Sequence, residues 1–114
     1  MNGRVKLNVG GTPFETTRAT LTSCSDSLLA RMFDPDSDLP PAEVTEDGAF
    51  FLDACPRAFA VILNYLRYNE ILLGKEVLPE DVIPVADYFG LPVLCEKLKA
   101  WNKPVITTTV TFNA

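Results

Sequence analysis

The sequence predicts an α+β fold: a small three-stranded sheet with a cluster of helices. Two observations predict the sheet. Val5, Leu7 and Val9 alternate with Lys6 and Asn8, the period of a half-buried strand. Gly10-Gly11 interrupts that pattern as a turn does, and Phe14, Thr16 and Thr17 resume an extended run, so the chain opens on a β-hairpin. A third observation predicts the helices. Phe59, Ile62, Leu63 and Leu66 recur at i, i+3, i+4 and i+7, one face of an amphipathic helix, and Pro and Gly punctuate the later apolar stretches.

The elements follow in order. Residues 18–27 lead from the hairpin, through Thr20-Leu21, into a first helix that Ser25 or Asp26 is placed to cap. Leu28, Leu29, Met32 and Phe33 form its apolar stripe, and Asp34-Pro35 ends it. Residues 34–48 read as a loop, closing on the turn Glu46-Asp47-Gly48. Ala49–Asp53 reads as a short strand with Phe50 and Leu52 on one side and Phe51 on the other, so both faces need cover. Pro56 opens the main helix. Val61, Tyr65 and Tyr68 lie off its stripe, where a Tyr either reaches water with its hydroxyl or anchors an interface. Asn69-Glu70 breaks this helix, and Ile71–Gly74 is a short extended or turn segment.

Leu78-Pro79-Glu80-Asp81 starts the next helix, with Val82, Val85, Ala86 and Phe89 inward. Pro84 conflicts with an unbroken helix: either a first turn ends there or the helix kinks. Gly90 stands where a helix C-terminus needs glycine. Leu91-Pro92 restarts helix with Leu94 and Leu98 inward, Trp101 near its end and Lys97 and Lys99 in its last turns. Pro104 closes a domain spanning residues 1–104. The remainder, 105–114, is strand-prone and reads as an added edge strand, a linker or a disordered tail.

Composition narrows the function. With 114 residues, 47% of them hydrophobic, the chain can bury one core but not two. The net charge is -5 and no basic patch is present, which excludes a nucleic-acid surface. Asp34, Asp36, Asp38, Glu43, Glu46, Asp47 and Asp53 give one region a negative face that steers basic partners. No apolar run nears the roughly 20 residues of a membrane span and no signal peptide is visible, so no direct membrane contact and a cytoplasmic location are expected. Three isolated cysteines suggest reduced thiols rather than a disulfide framework.

The absence of histidine removes the commonest general base and zinc ligand. Gly10-Gly11 joins strand to strand and lacks the Gly-Lys-Ser/Thr ending of a phosphate loop. Asp34, Asp36 and Asp38 alternate like a calcium loop without its glycine and terminal glutamate. No catalytic residue, metal or cofactor is therefore expected, and an assembly or interaction domain remains. Its aromatic residues are too many all to be central, and Arg18, Arg31, Arg57 and Arg67 can fix subunit register through carboxylates.

Four blocks carry a family signature. Val5-Lys-Leu-Asn-Val-Gly-Gly-Thr12 with Phe14 and Thr16-Thr-Arg18 resembles the opening of the BTB/POZ domain in its potassium-channel-tetramerisation (T1-like) form. Asp26–Phe33, Gly48–Asp53 with Pro56 to Arg67, and Ala86–Leu91 resemble the following blocks in the family's order. The likeness covers about residues 5–99 and leans toward the soluble potassium-channel-tetramerisation-domain-containing proteins. It implies a homo-oligomer, a pentamer ahead of a tetramer, acting as a cullin-3 ubiquitin-ligase substrate adaptor. The alternatives are the cytoplasmic tetramerisation domain of a voltage-gated potassium channel and an assembly scaffold without cullin binding. The implied subunit boundary takes in Asn8, Gly10, Gly11, Thr12, Phe14 and Arg18, with Asp53, Arg57 and Arg67 as further candidates. The implied partner surface takes in Met32, Phe33, Asp34, Asp36 and Leu39, helped by Tyr68. The chain departs from the family at three points: it lacks the histidine of the interfacial zinc site of channel domains, has Asp53-Ala54 where an Asp-Arg pair is common, and carries Pro84 inside a helix.

Overall fold

A computed structural model describes residues 3–37 and 43–111, with side chains described as far as Trp101. The elements are β1 (Arg4–Val9), β2 (Thr12–Thr17), α1 (Arg18–Leu21), α2 (Leu28–Met32), β3 (Phe50–Leu52), α3 (Pro56–Tyr68), α4 (Pro79–Tyr88) and α5 (Pro92–Thr111). They form the expected α+β architecture, a three-stranded sheet in the order β2-β1-β3 with a cluster of helices.

The hairpin alternation sets the sheet. β1 lies between its neighbours, antiparallel to β2 with Val9 opposite Thr12, and parallel to β3 with Leu7 opposite Phe50. A parallel return needs a crossover, and the segment carrying α1 and α2 supplies it. The register places Val5, Leu7, Val9, Phe14, Thr16, Phe50 and Leu52 on one face and Lys6, Asn8, Glu15 and Phe51 on the other. The first face meets the helices. Its partners in the core include Phe59 and Ile62 of α3, Val82 and Ala86 of α4, and Leu94 and Leu98 of α5. Two ring contacts join the layers: Phe14 meets Phe59 edge-on at 5.4 Å and Phe33 meets Phe50 at 5.3 Å. The outer edge of β3 is paired by its own preceding loop. Val44 bridges Phe50, and the Phe51 N–H donates to the Glu43 carbonyl at 2.7 Å.

Four local expectations are corrected. Residues 18–21 form a one-turn helix rather than plain connection, because Thr17 caps it: its hydroxyl accepts from the Thr20 N–H at 3.2 Å. The cap of α2 is Ser27, not Ser25 or Asp26; its hydroxyl accepts from the Ala30 N–H (3.0 Å) and donates to the Cys24 carbonyl (2.7 Å). Of the two alternatives at Pro84 the first is overturned: helix α4 runs from Pro79 to Tyr88 without ending there. Pro84 is exposed, so water can serve the Glu80 carbonyl that a proline cannot reach. Helix α5 continues past Pro104 to Thr111, so Lys97 and Lys99 stand mid-helix and the backbone of 105–111 is helical where an added strand was one alternative.

Ser27 is only 1% exposed, so no water replaces its hydroxyl. Ser27→Ala is expected to cost about 1–2 kcal/mol, lowering the melting midpoint by roughly 5–10 °C. Urea unfolding of the two proteins checks this, and equal midpoints would contradict it.

Candidate subunit and partner surfaces

The two-residue turn Gly10-Gly11 projects from the sheet with positive φ at both residues, as a type I′ turn demands. Asn8 secures it: its Oδ1 accepts from the Gly11 N–H at 2.8 Å. Gly10 also faces inward within the chain. Its N–H donates to the Leu52 carbonyl at 3.0 Å, tying the turn to the end of β3. Directly beyond β3 lie Asp53 and, one residue into α3, Arg57. Both are exposed, and their side chains make no hydrogen bond or ion pair among the described residues. The structure thus brings Asn8, Gly10, Gly11 and Thr12 to the same end of the domain as the start of α3.

Three other boundary candidates have work inside their own chain. Phe14 is half-buried with its ring on Phe59. The Arg18 guanidinium donates to the Phe33 carbonyl, where α2 has run out of intrahelical donors. Arg67 donates to the Glu15 carbonyl at 2.8 Å, occupying an acceptor of β2. With Pro13 offering no N–H on the same strand, this blunts β2 as a template for a further strand.

The partner candidates divide similarly. Met32, Phe33 and Asp34 line one groove of about 330 Å³ together with Arg18, Pro35, Ser37 and Phe50. Phe33 is buried in that floor, with its ring packed edge-on against Phe50. Asp36 is exposed beside the groove, its backbone N–H donating to the Asp34 carboxylate at 2.9 Å in a local turn. Tyr68 is exposed on the last turn of α3. Leu39, like Asp38, lies outside the described residues. Of the acidic face, Asp47 is held below the usual carboxylate range, chiefly by the Thr45 hydroxyl donating to it. Its stabilising contribution is therefore present above the ordinary carboxylate pKa and fades as pH falls through the lower, folded value.

One groove escaped the sequence reading. Tyr65, Asn69, Glu70 and Ile71 from the end of α3 face Lys97, Ala100 and Trp101 of α5 across about 580 Å³. The signal for it was the spacing of Lys97, Ala100 and Trp101, one stripe of a helix beside the buried Leu94 and Leu98. Tyr65, read as lying off the α3 stripe, is buried there.

None of these surfaces gathers three or more His, Cys, Asp or Glu side chains fit to hold a metal, among the described residues. No helix among them is long and apolar enough to cross a membrane. The order of the elements matches a known architecture. A family model of the BTB/POZ domain matches residues 5–98. The chain belongs to the BTB/POZ family. This BTB/POZ domain is 38% identical over 95 residues to human BTB/POZ domain-containing protein KCTD5, covering 83% of the chain and 40% of that protein. It is 39% identical over 94 residues to human BTB/POZ domain-containing protein KCTD9, covering 82% of the chain and 24% of that protein. To human BTB/POZ domain-containing protein KCTD17 it is 36% identical over 95 residues, covering 83% and 30%. The chain therefore spans no more than 40% of the length of these relatives. The BTB/POZ domain is an interaction fold, not a catalytic one.

The cysteines of this BTB/POZ domain report on its surfaces. Cys55, beside Asp53 and Arg57, is exposed; Cys95 is buried, and burial raises its thiol above the ordinary value. A neutral maleimide at pH 7 is expected to modify Cys95 only after unfolding, because the reactive thiolate is scarce and shielded. Mass mapping after brief labelling checks this, and equal labelling of Cys95 and Cys55 in the dissociated native domain would contradict it.

Proposed function

We propose that this BTB/POZ domain is a cytoplasmic homo-oligomeric interaction module, a pentamer ahead of a tetramer, that serves as a cullin-3 substrate adaptor. The observation that carries the reading is the family match over residues 5–98, which uses nearly the whole described body for an interaction fold. The geometry supports a division of labour. The turn Asn8–Thr12 with Asp53 and Arg57 supplies the subunit boundary, where unpaired Asp53 and Arg57 are available to a neighbouring copy. The groove of Arg18, Met32, Phe33 and Asp34, with exposed Asp36 beside it, supplies the partner surface. Residues 1–104 form the oligomerising unit and 105–114 lead out of it.

Native mass spectrometry tests the assembly: five chain masses are expected, four would favour the tetramer, and a strict monomer at micromolar concentration would end the reading. Isothermal titration with the cullin-3 N-terminal domain tests the adaptor role; no heat at tens of micromolar would remove it and leave the oligomer standing. Because charged pairs at a subunit boundary are screened, molar salt is expected to weaken the assembly. Cys55 gives a local readout, since its labelling should slow in the oligomer relative to the dissociated chain.

A further inference from the structure

The groove between α3 and α5 has no role in that reading. Its floor is apolar, formed by Tyr65, Ile71, Ala100 and Trp101. Trp101 is 41% exposed there and is the sole tryptophan of the chain. Apolar surface continues outward, for Val93 stands one turn before Lys97 on α5 and Tyr68 one turn after Tyr65 on α3, each 61% exposed. Exposed apolar side chains grouped about one groove mark a contact surface, where the same residues scattered singly would not.

The charges of the groove identify its occupant. One acid, Glu70, stands just past the end of α3 on one wall and one cation, Lys97, on the α5 wall. They do not pair with each other: the Lys97 ammonium lies 5.3 Å over the Tyr65 ring, and among the described residues the ion pairs are Arg4–Glu15 and Lys99–Glu96. A groove with opposite charges on its two walls is complementary to itself when turned through a two-fold rotation. A basic or an acidic partner would match one wall and oppose the other. We propose that this groove packs against the same groove of a second copy across a two-fold axis, Glu70 of each copy facing Lys97 of the other over a shared floor that contains both Trp101 rings. The contact is separate from the subunit boundary at the Gly10-Gly11 turn, so it joins two assembled units, or two monomers where no ring forms.

The test is sedimentation velocity of the full 114-residue chain over about 1–200 µM in low salt, with Trp101 emission recorded on the same samples. The wild type is expected to show a doubling of the unit mass with rising concentration, accompanied by a blue shift of several nanometres as the indole leaves water. Glu70→Lys and Lys97→Glu should each move the doubling to at least about tenfold higher concentration, since each places like charges together twice across the axis. Glu70→Lys/Lys97→Glu restores both pairs with reversed polarity and is expected to return the midpoint to within about threefold of wild type. No doubling in the wild type, single variants that double like wild type, or a double variant as weak as the singles would each overturn the proposal. Recovery in the double variant separates lost complementarity from lost folding. A unit mass unchanged in all variants shows that the ring boundary is a different surface.

Discussion

Gly10→Ala is expected to destabilise the domain by about 3 kcal/mol or more, a large share of the 5–15 kcal/mol that holds a typical domain together. Two costs combine. Gly10 has φ +56, a conformation that costs an L-residue about 1–2 kcal/mol. A Cβ there would sit 2.4 Å from the Ala54 carbonyl oxygen and 3.2 Å from Cδ of Pro56. The first is backbone and the second is the rigid ring that opens α3, so neither can move alone. Relief requires the turn to lift from β3, which breaks the Gly10 N–H to Leu52 carbonyl bond. Gly11 is the control within the same turn. Its φ is also positive, at +97, but a Cβ there meets nothing within 4 Å. Gly11→Asn, a residue that tolerates this region, should cost less than about 1 kcal/mol. Urea titration of both variants checks the contrast, and similar losses at the two positions would refute it. Gly11→Asn then carries a second use. It leaves the fold intact while altering the tip of the turn, so a changed oligomer mass in that variant locates the subunit boundary there.

Gly90→Ala is expected to cost about 3 kcal/mol, lowering the melting midpoint by roughly 12–20 °C. Gly90 ends α4 in a Schellman motif: the Leu91 N–H donates to the Ala86 carbonyl and the Gly90 N–H to the Asp87 carbonyl, both at 3.0 Å. This requires its φ of +74. The same residue seats α2. The Phe89 carbonyl accepts from the Leu28 N–H at 2.9 Å and the Leu29 N–H at 3.4 Å, so the end of one helix satisfies the start of another. A Cβ on Gly90 would lie 2.9 Å from the Leu28 nitrogen and 3.4 Å from Cα of Ser27. Helix α2 would have to withdraw, carrying Phe33 and the Met32–Asp34 groove with it. The variant should therefore also weaken any ligand held in that groove, measured at a temperature where it is still folded. A loss below 1 kcal/mol, or a groove ligand bound as in wild type, would count against this account.

The local elements were legible because local physics sets them. A period of two over Val5–Val9, a Gly-Gly pair between strands, Pro56 before an apolar stripe at helical spacing and Gly90 after one are each read within a few residues. Where the reading slipped, a non-local or competing term decided. Ser25 and Asp26 are as good caps in isolation as Ser27; Ser27 serves because the Phe89 carbonyl holds the backbone of Leu28 in place as the first residue of α2. Pro84 argued against a continuous helix, but an exposed proline costs one hydrogen bond that water can replace, while Val82 and Ala86 on either side gain a buried seat. The helix therefore continues.

The candidate surfaces were legible by residue and not by direction. Blocks within residues 5–21, 26–33, 48–67 and 86–91 carried the family resemblance, and the family match over residues 5–98 bears it out. Arg18, Arg67 and Phe14 could be marked as able to cross a subunit boundary, yet a guanidinium or a ring finds whichever acceptor or face the fold brings near. Here those are the Phe33 carbonyl, the Glu15 carbonyl and the Phe59 ring of the same chain. By itself the sequence determined that the chain builds a hairpin-led sheet under amphipathic helices, with no histidine to serve as general base or zinc ligand. Only the tertiary structure decided which polar groups are consumed internally and which stay free. It left Asp53, Arg57, Glu70 and Lys97 without an ion-pair partner of their own among the described residues, because pairing depends on distances across elements far apart in the chain and periodicity carries no information about those.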